Sequence, residues 1–328
     1  MSVKLNGRKT NPCIYRRACD APSKHNEMDI HENMNNGIVS DNEQHQATPK
    51  VTVVILTINR PKYIAEALKS VREQSYTNYR IIVSDATDDP QFLSAYEVIY
   101  DEHRKAAPNN EFILRKPPQR LRQVGHFQSV LKTVDTEFVA ILDDDDVWLP
   151  HQLQQSIEWL NQNPKNGLTM ANAYNVDVDG EKIALRQRLD AIVPEPANCT
   201  AWMRLNLSSF FGTTSSLVLR TSAMKDCFYV ENSLLDCQTA FNVAFARYYV
   251  KAFTEPSYLY RVHGESFYGS NAKQVELERH AWRIELAKRF GPFLSNRYPL
   301  FCLLAAKSAI CLMQNKTAKL AGVGLTAA

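Results

Sequence analysis

From Val51 onward the chain alternates short apolar, β-branched runs with segments of helical period. "VTVVILT", "YRIIVSD", "EFILR" and "FVAIL" are separated by "RPKYIAEALKSVREQ", "PQFLSAYEVIYDEHRK" and "VGHFQSVLKTV". Val51 to Leu56 is the kind of continuous run found in a strand buried on both faces. Tyr63, Ile64, Ala67, Leu68 and Val71 then fall at helical spacing behind Pro61, which suits a first turn. Strands alternating with helices predict an α/β fold with a mainly parallel sheet covered on both faces. Ligands of such sheets bind at the carboxyl ends of the strands, so the loops to watch are "TINR", "SDATDD" and "DDDD".

Around this stretch the chain divides into four parts. Residues 1–49 are polar, rich in Asn, His and Glu and without periodicity, and read as a loose arm. Residues 50–160 carry the alternating pattern, and 161–270 form a less regular half. There "YNVDVDGEKI" reads as a hairpin turning at Asp179-Gly180, "SSLVLRTSAM" as a strand entering a short helix, "DCQTAFNVAFARYYV" as a helix and "AFTEPSYLYRVHGES" as strand and loop. Residues 271–328 read as helical, beginning with the charged "KQVELERHAWRIELAKRF". The later "YPLFCLLAAKSAICLM" is shorter than the ~20 residues a spanning helix needs. It is a helix packed on the domain or one in peripheral contact with a membrane.

A net charge of +3 with scattered basic residues offers no electrostatic footprint for nucleic acid. Seven cysteines without a CxxC pair fit a reducing compartment, and the N-terminus lacks the apolar core of a signal peptide. The expected location is cytoplasmic, at the inner face of a membrane if the C-terminal helix touches lipid.

The most demanding feature is "FVAILDDDDVWLP", in which an apolar strand ends in Asp143, Asp144, Asp145 and Asp146. Neighbouring charges at 4 Å repel by about 1 kcal/mol in water and about 4 kcal/mol at an effective dielectric of 20. A solvated loop is one resolution. Another is that Asp146 caps the helix of "WLPHQLQQSIEWL". An EF-hand loop is excluded, because Trp148 and Gln154 stand where glycine and glutamate are required. A divalent cation beside a phosphate ligand is the third, since Mg2+ or Mn2+ takes one or two carboxylates and completes its shell with phosphate oxygens and water. In an extended segment Asp143 and Asp145 face one ligand site, leaving Asp144 and Asp146 for a sugar hydroxyl, a helix start or solvent. The chain has neither GxGxxG nor a P-loop, so phosphate charge must be met by a cation or by Arg and Lys. Asp85, ending the second strand, can accept from a base or ribose, or close an Asx turn.

Together, "VTVVILTINRPKYIAEALKSVREQSYTNYRIIVSDATDD" and "FVAILDDDDVWLP" resemble the family 2 glycosyltransferases of GT-A fold, over roughly Val51 to His263. The resemblance implies a mainly parallel nucleotide-binding sheet flanked by helices, with a mixed acceptor-binding half. It implies a nucleotide pocket lined by Thr57, Asn59, Arg60 and Asp85, with Asp85 on the uracil or other base. Asp143 to Asp145 correspond to the DxD element, with Asp145 on the metal and Asp144 or Asp143 near the ribose. Two departures stand out: "SDATDD" lacks the family's first acid and its glycine, and "LRQVGHFQSVL" replaces an Arg-Asn-x-Gly stretch, leaving Arg120 or Arg122 for the nucleotide.

In the later half "ENSLLDCQTAF" puts Asp236 where the family places its base, with Leu235 replacing a preceding acid, and "YRVHGES" matches a Y-R-x-H motif whose His263 can ligate the metal or meet the diphosphate. Asp236 also suits a helix N-cap. Acceptor contacts are expected around "NLSSFFGTTSS", where Phe210 and Phe211 can stack on a sugar. The resemblance thus implies a metal-dependent, inverting transfer from a nucleotide-sugar donor to a saccharide or lipid-linked acceptor, with Mn2+ or Mg2+ and no nucleic acid. Rival readings are a non-catalytic nucleotide-binding scaffold and a sugar nucleotidyltransferase, the latter lacking its Gly-rich loop. A phosphatase with an Asp-x-Asp-x-Thr motif fails because Val147 holds the threonine place.

Overall fold

A computed structural model describes residues 50–117, 121, 123–186, 213–227, 243 and 248–264, with scattered helical positions between 273 and 284. All belong to the second of two compact units, residues 48–328. The expected arm, Arg120 and Arg122, Phe210 and Phe211, Asp236 and the apolar C-terminal helix lie outside the described residues.

Among the described residues nine strands form one mixed sheet: β1 (Val51–Thr57), β2 (Tyr79–Asp85), β3 (Phe112–Arg115), β4 (Phe138–Asp143), β5 (Val147–Trp148), β6 (Asn166–Val176), β7 (Lys182–Leu185), β8 (Val218–Arg220) and β9 (Tyr249–Arg261). Their order is β3-β2-β1-β4-β8-β6-β9-β5, with β7 paired to β6. The first four run parallel, as the alternating sequence pattern predicts. Beyond β4 the pairing turns mixed: β8 is antiparallel to β4 and β6, while β9 is parallel to β6. The hydrogen-bonded sheet therefore runs unbroken across residue 160.

Alternation along β1 sorts its side chains between two cores. Val51, Val53 and Ile55 join Ile64, Leu68 and Val71 of α1 (Pro61–Arg72), Tyr96 and Tyr100 of α2 (Pro90–Ala106) and Leu153 and Ile157 of α4 (Gln152–Asn161). Val54 joins Phe127, Val130 and Leu131 of α3 (Gln123–Leu131) and Met224 of α5 (Thr221–Cys227) on the other face. Each such fully buried side chain contributes roughly 1.5–3 kcal/mol, and the only charged residue of β1, β2 and β4 ahead of Asp85 and Asp143 is Arg80, near the start of β2 and bonded to Asp135.

Three readings are refined. The hairpin between β6 and β7 turns as expected, with Gly180 at a φ of 89° that favours glycine and Asp177 N–H donating to the Glu181 carbonyl at 3.0 Å. The stretch read as strand and loop is strand β9 through Arg261 and loop from Val262 to Gly264, and the register of β9 against β6 shifts three times. Asp146 does not cap α4, which begins at Gln152 with His151 as its cap residue and no cap hydrogen bond from that side chain. Instead Gln74, just beyond α1, accepts from Leu153 N–H at 3.0 Å and donates to the Leu149 carbonyl at 2.8 Å. A partner brought in by tertiary packing does the work assigned to a local one.

α2 is tied to α1 through His103, which is 1% exposed and accepts at Nδ1 from Arg72 at 2.8 Å. The imidazole proton then lies on Nε2, which has no hydrogen-bond partner among the described residues. Burial, with Arg72 and Arg104 nearby, lowers this pKa to about 4. An unfolded histidine takes a proton near pH 6.5, so between about 6.5 and 4 the unfolded chain binds a proton that the folded chain refuses. Stability is full above that window and falls as pH drops through it, by up to about 3 kcal/mol. Urea titrations across pH 4–7 are expected to show this loss, and His103→Gln, which keeps an acceptor for Arg72, to flatten that component.

Candidate active site

Register sets the site. Thr57 pairs with Asp85 across β1 and β2, and Leu56 with Asp143 across β1 and β4, so the three candidate loops leave the sheet side by side. The turn after β1 passes through Asn59, whose φ of 51° is left-handed. Asparagine tolerates this region, and here its side chain is employed as well. Its Oδ1 accepts from Asp88 and Asp89 N–H at 3.2 and 3.3 Å, its Nδ2 donates to Asp88 at 2.8 Å, and its backbone N–H donates to Thr87 Oγ1 at 3.1 Å. Asn59 thereby ties the first loop to the second.

Asp85 closes the Asx turn: it accepts from Thr87 N–H at 2.8 Å and, with its other oxygen, from the Tyr100 hydroxyl at 3.0 Å. Below it, Ser84 Oγ meets Nε2 of His126 at 2.7 Å. That histidine comes from the segment replacing the family's Arg-Asn stretch.

The four aspartates are not an extended, alternating segment. Asp146 N–H donates to the Asp143 carbonyl at 3.3 Å, closing a tight turn. Asp144 and Asp146 are each 1% exposed, which excludes the solvated-loop reading for both. Asp146 is held by the Ser215 hydroxyl at 2.6 Å and by Arg261 N–H at 2.9 Å. Ser215 Oγ in turn accepts from Asp143 N–H at 3.0 Å, and its carbonyl from the Trp148 indole at 2.7 Å.

Asp144 accepts from Thr57 Oγ1 at 2.6 Å and from Nη2 of Arg60. The Thr57 hydroxyl proton is thus committed to Asp144, so the Tyr96 hydroxyl donates to Thr57 at 2.7 Å while accepting from Arg60 N–H at 2.9 Å. Asp145 places Oδ2 3.0 Å from Arg60 Nη1 and 3.1 Å from His263 Nε2.

Burial decides the electrostatics of the cluster. It pushes Asp143 well above the usual carboxylate range, with Asp145, Asp146 and Asp144 adding to the effect. It raises Asp144 to about 7 against the pull of Arg60, and Asp146 to about 8, where Asp145 adds and Ser215 opposes. Asp145 goes the other way: burial is outweighed by His263 and Arg60, which hold its carboxyl below the ordinary value. Burial also works to lower the Arg60 guanidinium, but Asp144, Asp145 and Asp143 together raise it. Four adjacent carboxyls are tolerated because three are driven towards the neutral form and the fourth is paired.

Underneath lies Arg261, 2% exposed. It donates from Nε to the Asp145 carbonyl at 3.0 Å, from Nη1 to the Asp177 and Val178 carbonyls at 3.3 and 3.0 Å, and from Nη2 to Glu66 at 2.6 Å. Its guanidinium carbon sits 4.9 Å from the Tyr63 ring centroid, and that ring lies 5.1 Å from His263. One buried arginine thus binds α1, the acidic turn and the β6–β7 hairpin.

The structure therefore brings together Thr57, Arg60, Asp144, Asp145 and His263, places Asp143 beside them and Asp85 at the next strand end. Ser215, Tyr96, Tyr100 and the anchoring role of Arg261 were not assigned from sequence. The i, i+4 pair of Tyr96 and Tyr100 is a signal in hindsight, but Ser215 has none, since it acts on a residue 69 positions away.

Among the described residues no three His, Cys, Asp or Glu side chains form a ready metal cage. Asp145 and His263 nevertheless supply two hard or borderline donors at one point, and Nδ1 of His263 is buried with no hydrogen-bond partner among the described residues. Such a pair fits Mg2+ or Mn2+ when phosphate oxygens and water fill the remaining positions.

Solved structures with a similar fold include GT-A glycosyltransferases. The mannosyltransferase PcManGT from Pyrobaculum calidifontis, in complex with GDP-Man and Mn2+, superposes with a TM-score of 0.54 at 18% identity, over 85% of this chain and 77% of its own. The chain belongs to glycosyl transferase family 2, whose profile matches residues 52–228. An uncharacterized glycosyltransferase of Nostoc sp. is 25% identical over 266 residues, covering 76% of this chain and 74% of that protein. The Escherichia coli UDP-Glc:alpha-D-GlcNAc-diphosphoundecaprenol beta-1,3-glucosyltransferase WfgD is 25% identical over 114 residues, 34% of this chain and 42% of its own. The chain spans less than half the length of most curated relatives it matches, from 22% of one to 74% of another.

The Ser215 hydroxyl is the part of this network most cleanly removed. Ser215→Ala leaves Asp143 N–H and one Asp146 oxygen buried without that partner, and is expected to cost about 1–3 kcal/mol in urea unfolding followed by tryptophan fluorescence.

Proposed function

We propose that this chain transfers a sugar, with inversion, from a nucleoside diphosphate donor, UDP-linked, to a hydroxyl of a saccharide or lipid-linked acceptor in surface polysaccharide or glycoconjugate synthesis. The observation that carries the proposal is the joining of Thr57, Arg60, Asp144, Asp145 and His263 at the carboxyl ends of β1 and β4, in a chain of this family. The lipid-linked acceptor is supported by the diphosphoundecaprenol substrate named for the Escherichia coli relative. Among the described residues no helix is long and apolar enough to cross a membrane. The proposed route to such an acceptor is peripheral contact through the C-terminal segment.

Each residue has a task in this reading. Asp85 and Thr57 line the base end of the donor, and Arg122 is assigned to the nucleotide from its place in the sequence. Asp143, partly exposed like Asp145, is assigned to the ribose, whereas buried Asp144 anchors Arg60. Asp145 and His263 would hold Mn2+ or Mg2+, with Asp143 as the second carboxylate within reach. The cation, when bound, offsets the charge that develops on the leaving diphosphate. Asp236 takes the proton of the acceptor hydroxyl, whose oxygen then bonds to the anomeric carbon as the bond to the diphosphate breaks on the opposite face. Holding donor and acceptor in that line supplies much of the remaining acceleration.

Calorimetric titration of UDP and GDP, with Mn2+ and with EDTA, tests the donor site. Metal-dependent binding that is lost in Asp145→Ala is the expected result, and absence of binding under every condition rejects the reading. The base is tested separately: Asp236→Asn is expected to keep nucleotide affinity within about twofold and to lower transfer by 10²-fold or more. Equal transfer by that variant would remove Asp236 from the mechanism. Nucleotide binding by the wild type without transfer or hydrolysis, across broad donor and acceptor panels, would favour the scaffold reading.

A further inference from the structure

Arg60 does more here than line a pocket. Its guanidinium spans two successive carboxylates, with Nη2 on Asp144 and Nη1 3.0 Å from Asp145 Oδ2. That same Asp145 oxygen lies 3.1 Å from His263 Nε2. The guanidinium therefore occupies the one oxygen at which the two candidate metal donors meet. A divalent cation at that oxygen would face a fixed positive charge a few ångströms away, and like charges in a partly buried site repel strongly.

The surroundings show which group can yield. Asp144 is 1% exposed and keeps its bond from Thr57 if the guanidinium leaves. Asp145 is fixed from behind by Arg261, which holds its carbonyl. The Arg60 side chain is 26% exposed, and its backbone sits in the turn between β1 and α1, anchored by the Tyr96 hydroxyl independently of the side chain. Among these partners Arg60 combines a long flexible side chain with access to solvent.

We infer that Arg60 is a built-in counter-ion that is exchanged on donor loading. With the site empty its guanidinium neutralises Asp144 and Asp145; when a nucleoside diphosphate arrives, the guanidinium turns from Asp145 to the diphosphate and leaves Oδ2 to the cation. This rests on the proposed function, and it goes further by making metal and nucleotide affinity depend on each other through one side chain. A cation alone must displace Arg60 with nothing to receive it, whereas a diphosphate supplies the receiving charge. Metal alone therefore binds weakly, and by reciprocity each ligand strengthens the other.

The test measures Mn2+ alone, UDP alone and UDP with Mn2+ by calorimetry on the full chain, for the wild type, Arg60→Gln and Arg60→Lys, with circular dichroism melting as the check on folding. Arg60→Gln is expected to bind Mn2+ alone more tightly than the wild type, by roughly 5- to 150-fold, and to bind UDP more weakly. Arg60→Lys keeps a positive charge and is expected to remain near the wild type for Mn2+ alone. Unchanged or weaker Mn2+ binding by Arg60→Gln, while the wild type binds UDP with Mn2+, makes Arg60 a fixed strut and overturns the inference without touching the proposed function. Failure of the wild type to bind any nucleoside diphosphate with metal overturns both. Should Arg60→Gln fail to fold, the guanidinium of Arg60 is followed in the wild type by arginine side-chain NMR, its resonance assigned by its loss in Arg60→Lys. A shift on adding Mg2+ with UDP, absent with Mg2+ alone, supports exchange; an unmoved resonance refutes it.

Discussion

The organising constraint is the placement of four consecutive carboxyls where a fully buried strand meets its loop. Neither water nor a single counter-ion meets that demand. The cluster is instead divided among partners from separate elements: Thr57 and Arg60 from the end of β1, Ser215 from the turn before β8, and Arg261 and His263 at and just beyond the end of β9. Because each carboxyl is buried against a donor that belongs elsewhere, the acidic turn acts as the junction of the sheet. The same contacts that make the charges tolerable hold the parallel and the mixed strands together at this end.

Burial also separates the four residues chemically. Asp143, Asp144 and Asp146 are pushed towards the neutral form, while His263 and Arg60 hold Asp145 below the ordinary carboxylate value against its burial. Identical side chains in one short run thus acquire different functions from geometry alone. Asp146 belongs to the framework, Asp144 to the placement of Arg60, and the charge available to a ligand is concentrated on Asp145. Arg261 serves both sides of this division, since its guanidinium fixes the Asp145 carbonyl while its backbone serves Asp146.

β1, β2 and β4 were legible in the sequence because each is an apolar run long enough to signal burial on both faces, the short and half-buried β3 by its place in the alternation, and parallel pairing follows from the helices between them. The second half was less so. β8 is three residues long, and β9 contains Glu255, Pro256 and several irregularities of register that no periodicity announces. At the site, the resemblance picked out Thr57, Arg60, Asp145 and His263, which the fold does bring together. The capping alternative for Asp146 rested on a local pattern, an aspartate ahead of a proline and a helix, whereas its partners lie 69 and 115 residues further on. The alternating reading of Asp143 and Asp145 failed for a similar reason: it assumed an extended chain where a tight turn lets Asp144 and Asp145 share one guanidinium.

The long reach of β9 bears on how the molecule comes into being. Asp145 and His263 are 118 residues apart in the chain, and Arg261 meets Glu66 across 195. Contacts of such separation form late, because the loop between them must be closed before they return any free energy. During synthesis β1 to β4 can assemble while the acidic turn still faces water and is ionised. Only after residue 263 has left the ribosome can the last strand dock and dehydrate it. The acidic turn therefore acquires its partners only once β9 has been made, and an unfinished polypeptide carries β1 to β4 without that charge arrangement.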